Sequence, residues 1–303
     1  MVYFAPCELL MKNLFGGGLK NVIFVAVHFQ IFKFVNFQID IMNRIVQLFQ
    51  RNPTKNLNVY FTAGYPKLDD TRRVLKTLET AGADLVEIGM PYSDPVADGE
   101  TIQQSNQQAL ENGMSVKELF AQLRGMRSEI TVPVLLMGYI NPVLQFGIEN
   151  FCQHCAEVGV DGLILPDMPV DEYLEEYKPI FERYGLLNIF LITPQTSEKR
   201  IRQIDDNSQG FIYMVSSASV TGSQTGVSHD MEAYFARVNA MNLSNPRLIG
   251  FGIKDYETFE KACQHASGAI IGSAFIRVLQ ESEELENGIS EFIKNVKGFV
   301  EVI

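Results

Sequence analysis

The stretch AGADLVEIGMPYSDPVADG, residues 81–99, joins a short apolar run to a loop that carries acids and prolines. Residues 84–89 are predicted to form a buried strand, because the run is short, apolar and bounded by glycine. The preceding residues, 69–82, repeat apolar side chains at helical spacing and end in Gly82. We therefore interpret the stretch as a helix end, a strand and a loop of an α/β protein.

The chain from residue 42 onward repeats this alternation of strand and amphipathic helix. Strand, crossover and strand in this order predict parallel strands with right-handed connections. Eight such units in about 250 residues match the size of a (β/α)8 barrel, or TIM barrel. A doubly wound open sheet is the alternative, but its first turn needs a glycine-rich fingerprint where this chain has only TAGYP. The predicted strands are 58–63, 84–89, 132–137, 162–166, 188–193, 210–216, 247–252 and 268–273.

Residues 1–41 differ in composition from the rest of the chain. The run FVAVHFQIFKFVNFQI is apolar and aromatic, but polar side chains, including Lys33, interrupt it. These interruptions argue against a membrane span, and the missing small-residue cleavage site argues against a secretory signal. We expect residues 42–303 to be a single barrel domain. We expect residues 1–41 to be an extension outside the natural protein, whose start would be Met42; a true N-terminal arm is the alternative.

The composition restricts the class of partner. With 46% hydrophobic and 20% charged residues, the chain is predicted to be a globular protein with a sizeable core. Its formal net charge of -11 repels phosphate backbones and anionic lipids, so we expect neither nucleic acid nor membrane as a partner. An anionic substrate would have to be held by local backbone dipoles.

The four cysteines predict neither a disulfide framework nor a metal site. They are too few for a chain of this length, which indicates a reducing cytoplasm. Cys152 and Cys155 in CQHC resemble half of a zinc site, but no second pair follows at a suitable spacing. Residues 148–158 are predicted instead to be a helix with these side chains on one face.

Two carboxylates stand where a barrel places its chemistry, at the C-terminal ends of the strands. Glu87 lies near the end of the strand at 84–89, and Asp98 lies in the loop that follows, so both are predicted to face the same mouth. The structural alternatives are a strand-end ion pair for Glu87 and a helix N-cap for Asp98. A calcium loop in DPVADG is excluded, because Val96 and Ser105 stand at its ligand positions 3 and 12.

Three glycine-bearing loops follow the last three predicted strands. They lie at 216–226, 250–252 and 271–274, and the last of them carries Ser273 ahead of a helical pattern. Glycine allows close approach to backbone N–H groups, so these loops predict a phosphate cradle. No lysine stands at a strand end and the histidines lie elsewhere, apart from His229 at a loop edge. Proton transfer would then depend on the carboxylates, aided by Tyr213.

Together these segments resemble the tryptophan synthase alpha subunit family. The resemblance rests on AGADLVEIGMPYSDPVADGETIQQS, YFTAGYP, SVTGSQTG, GFGI and IIGSA, and it spans residues 42–303. It implies a carbon–carbon lyase of tryptophan biosynthesis that cleaves indole-3-glycerol phosphate into indole and glyceraldehyde 3-phosphate. The resemblance implies no cofactor in this subunit. It also implies an alpha2-beta2 assembly in which a beta subunit with pyridoxal phosphate receives the indole.

The resemblance also implies roles for individual residues. Glu87 would be the general acid and base, and Asp98 would accept a hydrogen bond from the indole N–H. The residues implied around the substrate are Tyr60, Tyr213, Thr221, Gly222, Phe251, Gly252, Gly272 and Ser273. Of these, Gly222, Gly252, Gly272 and Ser273 surround the phosphate, and Thr221 belongs to a lid. The candidates for the partner interface are Asp94, Pro95 and Asn106.

The sequence departs from the family pattern at two positions. Ser217 stands where some members carry arginine, and Tyr60 replaces an expected phenylalanine, which adds a hydroxyl to the indole wall. Two other functions remain open on the sequence alone. One is another phosphate-binding barrel, such as an isomerase of a phosphorylated sugar. The other is a regulatory module that only activates a beta subunit, although such a module would need neither carboxylate.

Overall fold

The computed structural model describes residues 42–95, 98–215, 229–250 and 252–298. From Asn43 onward the described chain forms one compact unit, in which parallel strands are surrounded by helices. The strands are β1 (Asn56–Thr62), β2 (Leu85–Gly89), β3 (Val134–Met137), β4 (Gly162–Ile164), β5 (Leu187–Asn188), β6 (Leu191–Ile192), β7 (Ile212–Val215), β8 (Arg247–Gly250) and β9 (Gly268–Ile271). Their order is β5-β4-β3-β2-β1-β9-β8-β7-β6, with every pair parallel.

Helices connect the strands along the chain. They are α1 (Arg44–Arg51), α2 (Asp70–Ala81), α3 (Glu100–Glu111), α4 (Val116–Leu123), α5 (Ile140–Phe146), α6 (Ile148–Val158), α7 (Val170–Glu172), α8 (Lys178–Arg183), α9 (Glu198–Asn207), α10 (His229–Ala240), α11 (Tyr256–Cys263), α12 (Ser273–Glu281) and α13 (Leu285–Lys297). A 3-10 turn at Met126–Ser128 follows α4, and a π-helix at Tyr173–Tyr177 lies between α7 and α8.

The chain between β5 and β6 closes the ring of strands. β5 pairs with β4, and β6 pairs with β7. The two residues between them continue the connection, because the Ile189 N–H donates to Leu163 O and the Phe190 carbonyl accepts from Tyr213 N, both at 2.9 Å. In a staggered barrel one strand can pair with its two neighbours along different halves of its length. The predicted fold, a (β/α)8 barrel, is thus confirmed, with one predicted strand divided into two segments.

An apolar interior fills the barrel, and α1 closes its N-terminal end. Ile45 and Phe49 of α1 are buried against the inward side chains of the strands, and the rings of Phe49 and Phe211 lie 5.9 Å apart. The buried Asp161 ahead of β4 accepts from Arg44 of α1 and from the Val134 N–H of β3. Because α1 occupies this end, the C-terminal ends of the strands are left to form the functional mouth. The apolar inward side chains of this cluster are Leu85, Leu135, Ile164, Ile189, Phe211, Tyr213, Leu248 and Ile270.

The helical pattern at 171–185 is interrupted rather than continuous. A π-helix at Tyr173–Tyr177 separates α7 from α8, and Pro179 stands in the first turn of α8. Proline has no N–H to donate and its ring crowds the carbonyl four residues earlier, so the turn before it cannot keep regular α-helical bonding.

The boundary between residues 1–41 and the barrel stays a prediction, since those residues lie outside the described part of the chain. The strand pairs that form the barrel all join residues between Asn56 and Ile271. We therefore expect a chain that begins at Met42 to fold and to keep its activity. Thermal melts of the two chains check this. A fall in Tm of more than about 4 °C, or roughly 1 kcal/mol in a domain of this size, would show that the extension packs on the core.

Candidate active site

Adjacent strands β1 and β2 place a tyrosine and a glutamate side by side at the mouth. Tyr60 lies opposite Glu87 in the parallel register. Residues opposite each other in parallel strands project to the same side of the sheet, and here that side is the barrel interior. Both side chains are buried, and Glu87 is 0% exposed. A rigid, buried strand thus fixes the position of a carboxyl group inside the barrel.

The surroundings of Glu87 favour its protonated form. Burial raises the pKa of this carboxyl from 4.5 to about 8, and a hydrogen bond from Asn58 Nδ2 to Oε1 opposes part of that rise. Its other oxygen, Oε2, is buried without a hydrogen-bond partner. None of the salt bridges among the described residues includes Glu87, so the alternative of a strand-end ion pair finds no support. At neutral pH Glu87 can therefore act as a proton donor.

Asp98 is oriented by two side chains and does not cap a helix. The N-cap of α3 is Gly99, and no side chain makes the capping bond. The Asp98 carboxylate instead accepts from Asn106 Nδ2 at 3.3 Å and from the hydroxyl of Tyr139. Burial raises the pKa of Asp98 to about 6, and these two hydrogen bonds limit the rise. Asp98 is thus mainly ionised at neutral pH, whereas Glu87 is mainly protonated.

The structure places Asn106, a candidate for the partner interface, beside Asp98. This residue is 3% exposed, and its amide is directed to Asp98. A side chain this buried offers little surface to a partner, and its place at the interface stays a prediction. Asp94 is exposed and Pro95 is half-buried, so both remain interface candidates.

Two tyrosines line the mouth beside the carboxyls. Burial raises the pKa of Tyr60 and of Tyr213, and the nearby charges of Asp98 and Glu87 raise both further. Each ring lies against a glycine of the next strand. A Cβ on Gly89 would stand 2.1 Å from the Tyr60 hydroxyl, and one on Gly250 would stand 2.3 Å from the Tyr213 hydroxyl. The rings can occupy these places only because glycine leaves the space open.

The hydroxyl that distinguishes Tyr60 from phenylalanine is connected to α3. It lies 3.4 Å from Thr62 Oγ1, which in turn lies 2.7 Å from Ser105 Oγ. Ser105 precedes Asn106, the residue that holds Asp98. The hydroxyl of Tyr60, which the expected phenylalanine would lack, thus links one wall of the site to α3, the helix that orients Asp98.

A helix N-terminus stands beside β1 at the mouth, because α12 follows the neighbouring strand β9. Gly272 is the N-cap of α12, Ser273 is its first residue, and no side chain caps the helix. The first N–H groups of a helix have no acceptor within it and carry partial positive charge, so they attract anions. Gly252, just after β8, has a φ of 77°, and the space beside it is open. Thr221, Gly222 and Phe251, the other predicted substrate residues, lie outside the described part of the chain.

Two residues of the site were missed by the sequence analysis. Tyr139 follows the C-terminal end of β3, a position that barrel enzymes use for function, and that placement was an available signal. Asn58 gave no such signal, because a strand asparagine reads as an ordinary polar residue until its partner is known.

The described residues contain neither a metal cluster nor a membrane span. No group of three or more His, Cys, Asp or Glu side chains is placed to hold a metal ion in the ranges that the structure describes. Cys152 and Cys155 are buried on α6, and burial raises the pKa of both thiols, that of Cys152 to about 12. In the same ranges, no helix has the length and hydropathy needed to cross a bilayer.

A barrel mouth with two carboxyls beside a helix N-terminus that no side chain caps is typical of (β/α)8-barrel enzymes. Within that class, the family model described as tryptophan synthase alpha chain matches residues 47–303. The chain belongs to this family, whose members are lyases in tryptophan synthesis.

Individual relatives agree with the family model. A tryptophan synthase alpha chain from Flavobacterium johnsoniae is 57% identical over 256 residues, which cover 84% of this chain and 100% of the relative. One from Christiangramia forsetii is 56% identical over 256 residues, with 84% and 99% covered. Among solved structures, the tryptophan synthase subunit alpha of Legionella pneumophila superposes with a TM-score of 0.76 at 30% identity, with 86% of this chain and 100% of that one covered.

Proposed function

We propose that the chain catalyses the retro-aldol cleavage of indole-3-glycerol phosphate into indole and glyceraldehyde 3-phosphate. The observation that carries this proposal is the pair of carboxyls at one mouth, Glu87 buried on β2 and Asp98 held by Asn106, with the pKa of Glu87 raised above that of Asp98. An indole ring must receive a proton at carbon while its nitrogen becomes cationic. An acid and an anion beside one flat ring suit that need, and membership of the alpha chain family supports the assignment.

In the proposed mechanism, Glu87 carries out both proton transfers. It donates its proton to the indole ring carbon that bears the glycerol chain, and this carbon then loses the chain. As the carbon–carbon bond breaks, the hydroxyl on the departing carbon becomes the aldehyde carbonyl and gives its proton back to Glu87. The enzyme ends with the same number of protons as it began, so one residue suffices as acid and base.

Asp98 and the two tyrosines hold the ring during this transfer. The ionised carboxylate accepts a hydrogen bond from the indole N–H and stabilises the positive charge that develops there. Asn106 and Tyr139 keep the carboxylate in one orientation, which lowers the cost of reorganisation. The buried rings of Tyr60 and Tyr213 provide flat apolar walls for the indole.

The phosphate is assigned to the N-terminus of α12. A chain with a net charge of -11 offers no favourable overall field for an anion, so backbone N–H groups must hold it. Gly272 and Ser273 begin this nine-residue helix, and the loop that contains Gly252 lies at the end of the neighbouring strand β8. Gly222 completes the proposed set.

Replacement of Gly272 by valine is expected to weaken substrate binding. A Cβ at this position would lie 3.5 Å from Tyr60 Cδ1 and 3.6 Å from Ile102 Cδ1, so alanine fits at contact distance but the methyl groups of valine do not. We expect Gly272→Val to lose roughly 2–3 kcal/mol of substrate affinity, the scale of charge-assisted hydrogen bonds. Equilibrium binding of the substrate measures this loss, with Gly272→Ala as the matched control. Unchanged affinity in folded Gly272→Val would place the phosphate elsewhere.

The two carboxyls predict a bell-shaped pH dependence. Because Asp98 must be ionised and its pKa is about 6, kcat/KM should fall as the pH drops through that value. Because Glu87 must be protonated and its pKa is about 8, kcat/KM should also fall as the pH rises through that value. Initial rates of indole release across this range test the prediction. A rate that kept rising above the pKa of Glu87 would show that its protonated form is not required.

We further propose that the chain passes indole to a tryptophan synthase beta subunit in an alpha2-beta2 assembly in the cytoplasm. Pyridoxal phosphate would be in the beta subunit, and this chain would need no cofactor. Support comes from a structural neighbour, the tryptophan synthase complex from Pyrococcus furiosus, at a TM-score of 0.73 and 31% identity, with 80% of this chain and 98% of that one covered. Asp94 and Pro95, on the loop after β2, are proposed to face the partner. Size-exclusion chromatography of the mixture should give one larger species, and separate elution would contradict the assembly.

A direct assay distinguishes this function from the two alternatives. The purified chain, incubated alone with indole-3-glycerol phosphate, should release indole. An isomerase of a phosphorylated sugar would release none. A purely regulatory module would also release none, and it would only accelerate the reaction of an added beta subunit.

A further inference from the structure

An asparagine lies inside the apolar interior of the barrel, one inward position before Tyr60 on β1. Asn58 is 0% exposed, and its neighbours in the strand register are Leu85 on β2 and Ile270 on β9. An amide in such surroundings is unfavourable unless its polar atoms find partners. Packing alone therefore gives no reason for asparagine at this position.

The partner of Asn58 is the carboxyl of Glu87. Asn58 Nδ2 donates to Glu87 Oε1 within the interior. This bond leaves two buried oxygens without a hydrogen-bond partner, Asn58 Oδ1 and Glu87 Oε2. Each of the two side chains thus has one oxygen without a partner. The pair can therefore also form a second arrangement, in which the amide oxygen of Asn58 faces the carboxyl.

The amide group can serve both forms of the acid. In the structure the NH2 group of Asn58 donates to Oε1, an arrangement that suits an ionised carboxylate, which only accepts. Toward a protonated carboxyl, which carries a donor, rotation of the amide by half a turn would present Oδ1 as the acceptor. Leucine, which has a similar branched shape, could do neither.

We propose that Asn58 is a positioning residue that keeps Glu87 in place through both of its protonation states by exchanging the amide atom that faces it. The proposal rests on the proposed function, in which Glu87 must give a proton and take one back within each turnover. A residue that only donated would leave the O–H of the protonated carboxyl without an acceptor, and one that only accepted would lose its bond when the carboxyl is ionised.

Three other ionisable side chains lie near Glu87. The hydroxyls of Tyr60 and Tyr213 face the same space, and the Asp98 carboxylate acts on both tyrosines. Burial raises the pKa of both hydroxyls, so neither changes charge over the range in which Glu87 titrates. Asn58 is thus the partner whose removal would change the titration of Glu87 most directly, and the hydrogen bond that it donates lowers the pKa of that carboxyl.

The test compares Asn58→Leu with Asn188→Leu as the matched control. Asn188 is also a buried strand asparagine with an unpartnered Oδ1, but it lies on β5 and has no contact with Glu87 among the described hydrogen bonds. Carbon-13 NMR of labelled glutamate carboxyls, assigned with Glu87→Gln, follows the titration of Glu87 without any substrate. We expect Glu87 to titrate at higher pH in Asn58→Leu than in the wild type, and at the wild-type pH in Asn188→Leu.

Kinetics provides the second readout. In Asn58→Leu the alkaline limb of kcat/KM should move to higher pH together with the NMR titration. The maximum should fall by about tenfold to a hundredfold, the scale of a misplaced catalytic group. A merely structural role would lower the Tm and leave the titration of Glu87 where it was, and that result would overturn the proposal. If the titration moves but no variant or wild-type protein releases indole, the positioning role stands and the proposed function fails.

A measurement on the unaltered protein covers the case in which Asn58→Leu does not fold. The side-chain amide protons and nitrogen of Asn58 should change their NMR shifts with pH at the midpoint found for Glu87, because the amide exchanges its partner there. The Asn188 amide should show no such change. An Asn58 amide signal that stays constant while Glu87 titrates would overturn the proposal.

Discussion

Glu87→Gln is expected to reduce indole release to near background while substrate binding is retained. Glutamine keeps the shape and polarity of the side chain but can neither donate a proton to the ring carbon nor accept one from the hydroxyl. General acid and base catalysis contributes about 10²- to 10⁴-fold in rate, and here one residue serves two transfers, so the loss should lie at the upper end. Single-turnover kinetics and equilibrium substrate binding measure the two quantities separately.

The stability of Glu87→Gln provides its control. The pKa of Glu87 is raised from 4.5 to about 8 in the folded state, so between these values unfolding releases a proton and stability falls as the pH rises. Glutamine removes this effect. The Tm of Glu87→Gln relative to the wild type should therefore increase with pH up to that pKa, which shows that the inactive variant is folded. Indole release near the wild-type rate would show that Glu87 is not the acid.

Asp98→Asn is expected to reduce the rate by about 10²- to 10³-fold, the scale of one preorganised electrostatic contact. The amide oxygen can still accept from the indole N–H, so the variant isolates the contribution of the negative charge. The acid limb of the pH profile should disappear, because the group that titrates near pH 6 is gone.

Asp98→Glu is the matched control for that variant. It restores the charge on a side chain that is longer by one methylene, and it should recover part of the lost rate. If Asp98→Asn kept the wild-type rate and its acid limb, a different group would have to stabilise the cationic ring.

The barrel and its two carboxyls could be predicted because both depend on local pattern. Short apolar runs alternate with amphipathic stretches, and the barrel rule then places Glu87 and Asp98 at one mouth. The division of one strand into β5 and β6 could not be predicted, because it arises from the stagger of the whole barrel. The only sequence feature that indicates the π-helix at Tyr173–Tyr177 is the proline that follows it.

The partners of the carboxyls could not be predicted from the sequence. Asn58 contacts Glu87 across a separation of 29 residues, and only the register of β1 and β2 brings them together. Asn106 was named as an interface candidate because the loop before it is expected to face a partner, and its bond to Asp98 became visible only in the structure. The buried strand at 84–89 predicted an apolar setting that raises the pKa of Glu87, but the hydrogen bonds that limit the pKa of each acid come from other segments of the chain.

The most direct test of the proposed reaction is cleavage by the purified chain alone in heavy water. Proton NMR should show indole with deuterium at the ring carbon that carried the glycerol chain, together with an equal amount of glyceraldehyde 3-phosphate. That carbon can receive its hydrogen only from an exchangeable acid such as Glu87, and the product balance shows that the carbon–carbon bond was broken. Absence of indole, or indole with ordinary hydrogen at that carbon, would contradict the proposed reaction.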